Sequence, residues 1–504
     1  MRRIVSIFIV FMMLLCYVPR ANAGDIGKVG TTNTTSMGGY HNGIIKSDGS
    51  LWMWGWNEYG QLGNGTTQNQ TEPVKIMDNV VSVSLGGYHS AAIKKDGSLW
   101  VWGRNNYGQL GIGAGITAYQ TVPFKLMEDV AAVSLGLDHS AALKNDGTLW
   151  MWGRNNYGQL GDGTNKNAYV PIEIGVKISA VSLGGYHSAV LKVTGQLSMF
   201  GRNDMGQLGL GDTEHRNKMC SVMENVCNVS LGGYHSAALK TDGTLWMWGS
   251  NDYGQLGDGT TQHKTEPMKM MENVSSVSTG GFHSAIIQKD ASLWMCGRND
   301  KGQAGVGIMQ TSTVPIKVME NVSSAHLGFY HSSAICMDAS LWMWGDNTFS
   351  QIGGANVYVG ATAMTPSRVM EHVSLVEIPA ASDVKVLLNG SQIVFDQPPV
   401  IIDGRVLVPV RAVFSALGAV VQWDDAFQSI TITKDGRASR MKIGSHQLEA
   451  YNEYDYTMNV NLDVPPQIIG GRTLVPIRAI IWILPSCRIK WDEDTRTVSL
   501  YYSW

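Results

Sequence analysis

One phrase recurs seven times along the chain at a nearly constant interval. Its second copy, from Gly86 to Gly111, reads GGYHSAAIKKDGSLWVWGRNNYGQLG. The histidine of the phrase returns at spacings of 48, 50, 48, 48, 48 and 48 residues, at His41, His89, His139, His187, His235, His283 and His331. A fixed period of roughly 20–50 residues is typical of solenoids, propellers and other arrays. This interval therefore restricts most of the chain to a repeat architecture.

Each repeat consists of short extended stretches and shows no helical period. Residues 73–111 predict four strands, Val74–Val80, Val81–Leu85, His89–Ile93 and Leu99–Trp102. The Asp-Gly pair between the last two strands is a strong hairpin signal. In SLWVWG, alternate residues face opposite sides of the strand, and both sides are apolar. Four-stranded units that are apolar on both faces predict a seven-bladed β-propeller, here spanning residues 36–378.

A propeller must close its ring, and the two ends of the repeat region differ from its middle. The first repeat lacks the Pro-x-x-x-Met-Glu-Asn-Val segment that precedes the other copies, whereas the last repeat is followed by an extra one, PSRVMEHVSLVEI. We therefore expect the C-terminal segment Val369–Val373 to form a strand in the same sheet as residues 39–45.

The repeated histidines are predicted to be structural. An active site needs one copy of its catalytic group, so a histidine present seven times is most simply a packing residue. The alternative is a metal site, but a metal ion binds a few ligands that converge on one point. Seven separate blades do not obviously supply that convergence, so we predict neither a metal site nor a cofactor.

The N-terminus has the features of a secretory signal peptide. Two arginines precede the apolar run of residues 4–18, and Ala21-Asn22-Ala23 fits a small-x-small cleavage site. Residues 1–23 therefore predict a secreted, extracellular protein. The apolar run is too short for a membrane span and no second one follows.

The net charge bears on the class of binding partner, and the cysteine content bears on whether disulfide bonds hold the fold. The formal net charge of −3 over 504 residues gives no electrostatic sign of nucleic-acid binding. Five cysteines follow the signal peptide, an odd number without a CxxC pair. We interpret Cys296 and Cys336 as buried free thiols rather than as parts of a disulfide framework.

The repeated motifs resemble a known family. Gly-x-x-His-Ser-x-Ala-Leu, Asp-Gly-x-Leu-Trp-x-Trp-Gly and Asn-x-x-Gly-Gln-Leu-Gly are similar to the regulator of chromosome condensation repeat, which implies a seven-bladed propeller. The family includes nuclear nucleotide-exchange factors for a small GTPase and bacterial secreted propellers that bind proteins. The signal peptide and the absence of basic charge favour the secreted type.

A second domain, residues 383–504, contains a shorter repeat. IIDGRVLVPVRAVFSALGAVVQWDD is echoed by IIGGRTLVPIRAIIWILPSCRIKWDED, and each copy predicts a strand, a helix beginning near proline and a strand ending in Trp-Asp. This smaller α+β domain with a two-fold internal repeat resembles the N-terminal, stalk-like domain of copper amine oxidases. Copper amine oxidation needs three histidine ligands, whereas this domain has only His446. The resemblance therefore implies a fold and surface association without catalysis.

Binding residues are expected where the repeats differ. The loops between Gln-Leu-Gly and the next proline have a different sequence in every blade, and loops of a repeated scaffold can carry specificity. The alternative is that these loops are solvated turns. The candidates are Tyr119, Tyr169, Arg216 and Tyr358, with His215 and His263 as further candidates.

The functional hypothesis is a binding protein rather than an enzyme. The sequence has no HExxH, GxSxG or phosphate-loop motif, so no catalytic residue is predicted. We expect a monomeric, secreted protein associated with the cell envelope or cell wall, whose propeller loops bind a protein partner. The alternatives are a protein that binds or processes glycans, with an envelope polymer as the partner, and a nucleotide-exchange factor.

Overall fold

The structure is a computed structural model that describes most of the chain after residue 33. The described residues are 34–114, 118–353, 360–371, 373, 384–393, 395, 399–402, 405–424, 427–451, 457–462, 464–469, 472–484, 487–492 and 497–502. The predicted signal peptide, residues 1–23, lies outside them. No helix among these residues is both long enough and apolar enough to span a membrane.

Seven four-stranded antiparallel sheets lie between residues 34 and 370, which confirms the predicted propeller of seven blades. Within each sheet the four strands follow one another in chain order, from the first strand at the centre to the outer strand at the rim. The first strands are Thr35–Met37, Val80–Leu85, Val130–Leu135, Ile178–Leu183, Val226–Leu231, Val274–Thr279 and Val322–Leu327. The second strands are His41–Ile45, His89–Lys94, His139–Lys144, His187–Lys192, His235–Lys240, His283–Gln288 and His331–Cys336.

The third and outer strands complete each blade. The third strands are Leu51–Gly55, Leu99–Arg104, Leu149–Gly153, Leu197–Gly201, Leu245–Gly249, Leu293–Gly297 and Leu341–Gly345. The outer strands are Gln70–Met77, Tyr119–Met127, Ala168–Gly175, Arg216–Met223, Lys264–Met271, Ser312–Met319 and Ala363–Met370. The stretch predicted as Val74–Val80 is therefore mostly the outer strand of the preceding blade, and only Val80 begins the next one.

Tryptophan residues of the third strands join neighbouring blades. The second tryptophan of Trp-x-Trp-Gly is fully buried, and in blade 2 its indole nitrogen, Trp102 Nε1, donates a 2.8 Å hydrogen bond to the Gln61 carbonyl of blade 1. Gly63 of blade 1 lies against the same indole, where a Cβ atom would come within 2.8 Å of Nε1. Glycine is required there by this contact and by its φ of +75°.

The predicted closure of the ring is wrong in its strand assignment. Val369 and Met370 end the outer strand of blade 7, while the first strand of blade 1 comes from the N-terminal side, Thr35–Met37. Among the described residues of this segment, Val373 pairs with blade 1 through an isolated antiparallel bridge to Lys46. Residues 374–378, at the end of the predicted propeller range of 36–378, lie outside the described part of the chain.

The C-terminal domain is α+β and two-fold repeated, as predicted. Its first sheet has the order Ser391–Gln392, Lys385–Leu388, Thr497–Tyr501, Arg488–Asp492, and its second has the order Val400–Ile402, Arg405–Pro409, Arg472–Pro476, Gln467–Ile469. The third sheet comprises Val420–Asp424, Ser429–Lys434, Arg437–Lys442, Gln447–Tyr451 and Thr457–Asn461. Two short helices, Val410–Ala416 and Ala479–Ile483, follow the paired strands.

The two halves of the C-terminal repeat face each other. Val408 pairs with Val475 at the centre of the antiparallel contact between equivalent strands. The helix Val410–Ala416 has an apolar face that is buried, since Val413 and Phe414 are both fully inaccessible in the domain core. The helix stops before Gly418, which has a φ of +76°.

Cys296 and Cys336 are buried free thiols, as predicted. Cys296 replaces the inter-blade tryptophan in blade 6, and the Met270 methyl group lies beside it against Gly257. Burial raises the pKa of the Cys296 thiol to about 12. Because thiolates are the reactive species, this side chain is chemically inert in the folded protein.

We expect iodoacetamide to modify exposed Cys227 in the native protein and to modify Cys296 only when the propeller unfolds. Mass spectrometry of peptides taken over a labelling time course measures both rates, and labelling in denaturant gives the reference. Equal labelling rates in the native protein, or a bridge between Cys296 and Cys336, would contradict this prediction.

Candidate functional site

Two connections of every blade emerge at the same end of the propeller. In blade 2 the first connection is the turn at residues 86–88 and the second is the loop that follows Arg104. His89 pairs with Gly103, which places both connections at one end of the sheet. We call this end of the propeller the loop face. The Asp-Gly hairpins lie at the opposite end, which we call the hairpin face.

A ring of buried histidines lies under the loop face. The seven repeated histidines have no solvent exposure. Six of them place Nε2 at 2.8–3.0 Å from a serine Oγ of the next blade, in the pairs His41–Ser90, His89–Ser140, His139–Ser188, His187–Ser236, His235–Ser284 and His283–Ser332. Each of these serines donates its own hydrogen to a glutamine carbonyl, so the histidine must donate from Nε2.

The seventh contact closes the ring with a different residue. His331 Nε2 donates to Asn42 Oδ1 at 2.7 Å, and Asn42 Nδ2 donates to the Gln351 carbonyl. Burial lowers the pKa of the repeated histidines to about 3, or about 4 for His331. They are therefore neutral inter-blade connectors, as the structural interpretation expects.

Aromatic side chains surround the central opening of the loop face. The residues before the seven histidines are Tyr40, Tyr88, Asp138, Tyr186, Tyr234, Phe282 and Tyr330. Neighbouring rings contact each other, with centroids 5.7 Å apart for Tyr234–Phe282 and 5.9 Å apart for Tyr40–Tyr330. The opening among the Leu-Gly-Gly segments holds about 110 Å³. That volume is below the roughly 300–1,000 Å³ of small-molecule pockets, which favours contact with a larger partner across the opening.

A second set of side chains alternates with these rings. The residues that follow the glycine closing the Trp-x-Trp-Gly position of each blade are Trp56, Arg104, Arg154, Arg202, Ser250, Arg298 and Asp346. The guanidinium carbon of Arg104 lies 5.1 Å from the Tyr88 ring centroid, and that of Arg298 lies 4.9 Å from the Tyr253 centroid. Such cation–π stacking holds the arginines in fixed positions. We call the residues of these two sets together the mouth ring.

The predicted tyrosines lie further out on the loop face. Tyr119 begins the outer strand of blade 2 and is 44% exposed, and Tyr169 in the outer strand of blade 3 is 39% exposed. The backbone of Tyr169 lies against Gly108 of blade 2. Tyr358 lies outside the described residues.

The other predicted binding residues have partners inside their own loops. His215 Nδ1 accepts a 3.1 Å hydrogen bond from the Asn203 backbone, and its ring contacts Tyr157 edge-on at 5.1 Å. Arg216 forms a 2.5 Å ion pair with Asp212, and His263 Nε2 lies 2.9 Å from Asp252. These contacts shape the loops that hold the residues, and a binding role for them remains a prediction.

The sequence interpretation missed the mouth ring because its residues lie inside the repeated phrase. A sequence that repeats in every blade indicates residues that pack the blades together, and the whole repeated phrase was interpreted in this way. A usable signal was nevertheless present, since the position before the histidine carries Asp138 in one blade and the position after the glycine of the third strand carries an arginine in four blades. Differences between copies therefore indicate candidate positions within the motif as well as between motifs.

The described residues do not fit a metal centre. No group of three histidine, cysteine, aspartate or glutamate side chains among them could hold a metal ion. In the C-terminal domain, the ring atom Nδ1 of His446 lies 2.7 Å from the Leu462 carbonyl and donates to it. One histidine held in this way does not supply the three ligands of an amine oxidase copper site.

Family comparisons match both parts of the chain. The RCC1-like domain matches residues 17–273, the regulator of chromosome condensation (RCC1) repeat matches residues 274–303, and the copper amine oxidase N-terminal domain matches residues 387–500. A search of curated proteins gave no match to the chain.

Solved structures share the propeller fold. Human WBSCR16 is 23% identical with a TM-score of 0.58, over 64% of this chain and 94% of that one. Yeast RCC1 (Prp20) bound to Kap60 is 18% identical with a TM-score of 0.58, over 76% and 93% of the two chains. Prp20p from Saccharomyces cerevisiae, whose binding to Gsp1p and histones has been characterised, is 21% identical with a TM-score of 0.56, over 71% and 89%. With its family matches and its seven blades, the chain belongs to the RCC1-like domain family and carries a copper amine oxidase N-terminal domain at its C-terminal end.

Proposed function

We propose that this protein is a binding protein whose propeller recognises a protein partner across the loop face. The observation that carries the proposal is the mouth ring, in which half-buried aromatic residues and arginines surround the central opening. Tyrosine, tryptophan and arginine dominate the binding energy of protein interfaces. Rings packed against neighbours, such as Trp56 edge-on to Tyr88 at 5.6 Å, lose little conformational entropy when a partner binds.

The similar structures support a partner of this class. Yeast RCC1 (Prp20) is bound to Kap60 in one structure, and Prp20p binds Gsp1p and histones. These partners belong to Prp20, and sequence identities of 18% and 21% transfer only the fold. The proposal that the present chain binds a protein is therefore based on its own mouth ring.

Export and envelope association form the second part of the proposal. The N-terminal pattern of residues 1–23 supports cleavage after Ala23, and the C-terminal domain would hold the propeller at the cell envelope. N-terminal sequencing of the mature protein tests cleavage, and fractionation of cells expressing chains with and without residues 383–504 tests retention. A protein that keeps Met1, or one retained equally without the domain, would contradict these two points.

The outer part of the loop face should contribute to affinity. Replacing Tyr119 and Tyr169 together with alanine is expected to weaken partner binding by at least roughly tenfold, about 1.4 kcal/mol. The free energy of unfolding should change by less than about 0.5 kcal/mol, because both rings are exposed. Titration calorimetry and thermal melting measure the two quantities.

The matched control for this pair lies on the hairpin face. Replacing exposed Lys95 and Lys289 with alanine removes two long side chains from the opposite end of the propeller and should leave affinity unchanged. If affinity survives the tyrosine changes while changes within residues 383–504 abolish it, the smaller domain is the binder.

Identification of the partner tests the proposal as a whole. The mature protein is immobilised and incubated with envelope proteins and, separately, with envelope glycans, and the bound material is compared with that held by Trp56→Ala and by the Lys95/Lys289 control. A protein held by the mature chain and the control but lost from Trp56→Ala supports the proposal. A glycan with that pattern would favour the alternative function, and a partner insensitive to Trp56 would exclude the mouth ring.

A further inference from the structure

The four arginines of the mouth ring differ in how their charge is balanced. Arg202 donates from Nε and Nη2 to Asp204 at 2.8 and 2.6 Å. Arg298 makes the same two contacts with Asp300, also at 2.8 and 2.6 Å. Each aspartate lies two residues after its arginine, and both pairs are bidentate. Blades 4 and 6 therefore present arginines whose charge is already neutralised.

Blades 2 and 3 lack this local carboxylate. The residues two positions after Arg104 and Arg154 are Asn106 and Asn156 instead of aspartate. Both arginines lie beside one carboxylate, Asp138, with Nη1 distances of 3.9 Å from Arg104 and 3.3 Å from Arg154. Asp138 is only 3% exposed. Two cations thus share one anion, which leaves one positive charge in excess at this part of the mouth ring.

The two guanidinium groups are held in position. Asn106 Oδ1 accepts hydrogen bonds from Arg104 Nε and Nη2 at 3.2 Å, a neutral contact that leaves the charge of Arg104 unbalanced. Arg154 Nε is buried and has no hydrogen-bond partner among the described residues. The Tyr107 ring lies between the arginines, with its centroid 4.7 Å from the Arg154 guanidinium carbon and 5.8 Å from that of Arg104. Both side chains are 20% exposed. An incoming anion therefore meets guanidinium groups that are partly exposed and already held in place, which reduces the entropic cost of binding.

The charges around Arg104 and Arg154 favour a short acidic peptide segment over a long polyanion such as a nucleic acid. Binding of a nucleic-acid backbone uses several cations that follow successive phosphates. Here Arg202 and Arg298 are already paired with Asp204 and Asp300, so they offer no net charge to further phosphates. One or two carboxylates of a folded or extended peptide suffice for the single excess charge beside Asp138.

We infer that Arg104 and Arg154 form an anion site in the mouth ring that takes the carboxylates of an acidic segment of the protein partner. The inference rests on the proposed function, since it assigns the chemistry of the partner at the same face. Guanidinium groups bind carboxylates through paired, charge-assisted hydrogen bonds. Tyr107 and the neighbouring tyrosines would cover the methylene groups of the glutamate or aspartate side chains.

A labelled peptide tests the inference without knowledge of the partner. A fluorescein-labelled peptide of six glutamates flanked by Gly-Ser is titrated with the full chain, and the matched peptide contains six glutamines. Anisotropy is measured at about 50 mM NaCl, where partly buried charges remain weakly screened. We expect the glutamate peptide to bind at least roughly tenfold more tightly than the glutamine peptide.

Three variants assign this binding to the site. Arg154→Gln should weaken glutamate-peptide binding by roughly tenfold. Asp138→Asn should strengthen it about threefold or more, because it removes the competing carboxylate, and a damaged fold cannot produce such a gain. The Lys95→Ala/Lys289→Ala variant removes two exposed cations from the hairpin face and none from the mouth ring, so it should leave the affinity unchanged.

Other outcomes overturn the inference. Equal binding of the two peptides, no binding of either, or no response to Asp138→Asn would do so. Tighter binding of a twelve-residue oligothymidylate would replace the acidic peptide with a nucleic acid. Displacement of the peptide by inorganic phosphate, at an ionic strength where NaCl does not displace it, would indicate a small-anion site. If a captured partner needs Trp56 but ignores Arg154→Gln and Asp138→Asn, the proposed function stands and this inference alone fails.

Discussion

Acidification from about pH 7.5 to about pH 5 is expected to unfold the propeller. The seven repeated histidines are buried and neutral in the folded protein, where their pKa is about 3, or about 4 for His331. In the unfolded chain the same side chains titrate near pH 6.5. Between these values the unfolded state binds more protons than the folded state, so the free energy of unfolding falls as the pH falls.

The expected size of this effect is large compared with the stability of a typical domain. Each histidine contributes about 1.4 kcal/mol per pH unit below 6.5, so seven contribute roughly 10 kcal/mol per unit. A globular domain is stable by only about 5–15 kcal/mol. Aspartates with lowered pKa, such as Asp96, also favour unfolding in acid, but they act in a window below their ordinary value near 3.8.

Thermal melting at pH values from about 8 to 4.5 measures the acid effect, with near-ultraviolet circular dichroism as the readout of packing. His187→Gln gives a control, because glutamine can donate to Ser236 and carries no titrating group. It should lower stability at neutral pH by roughly 1–3 kcal/mol and reduce the proton uptake on unfolding by one. A melting temperature that stays constant down to pH 5 would show that the histidines are not neutral in the fold.

Replacing Trp248 with alanine is expected to cost about 3–5 kcal/mol of unfolding free energy. The side chain is fully buried between blades 4 and 5, and its Nε1 donates to the Gln207 carbonyl at 3.0 Å. The Gly209 residue of blade 4 lies against the same ring. Alanine would leave a cavity at the blade junction and an accepting carbonyl with one hydrogen bond fewer.

Trp246 is a matched control for Trp248, two residues earlier on the same strand. It is half-buried on the other face, where Nε1 donates to Thr244 Oγ1 at 3.0 Å and Lys240 Nζ lies 4.6 Å from the ring centroid. Its replacement by alanine should cost about 1–2 kcal/mol, because water can take over the hydrogen bond. Denaturant unfolding of both variants measures the difference, and equal losses would refute the assignment of Trp248 as the residue that joins the blades.

The repeat period predicted the blades well, because packing repeats wherever the sequence repeats. The histidines at intervals of 48 and 50 residues became the inter-blade connectors, and the alternation in SLWVWG became a strand buried between sheets. The assignment of strands to blades was less successful. A Pro-x-x-x-Met segment looks the same whether it pairs with the strand before it or begins the next sheet.

Ring closure depends on contacts that no local pattern encodes. Thr35–Met37 contains little apolar sequence, yet it fills the central position of blade 1 because residues 41–45 need a partner there. Asn42 replaces the serine of the other blades, and this single difference marked the junction with His331. The mouth ring could be found only in part, since the stacking of arginines on tyrosines of neighbouring blades depends on three-dimensional adjacency.

The contiguity of the blades has a consequence for how the chain folds during synthesis. Every propeller sheet is made of four consecutive strands, so each can be completed as soon as its own segment has left the ribosome. Each new sheet then needs only the one before it as a template, as in other repeat proteins. The joint between blades 7 and 1 is different, because the Asn42 contact with Gln351 spans 309 residues. Until that residue is made, the nascent protein is an open arc whose first blade has an uncovered side.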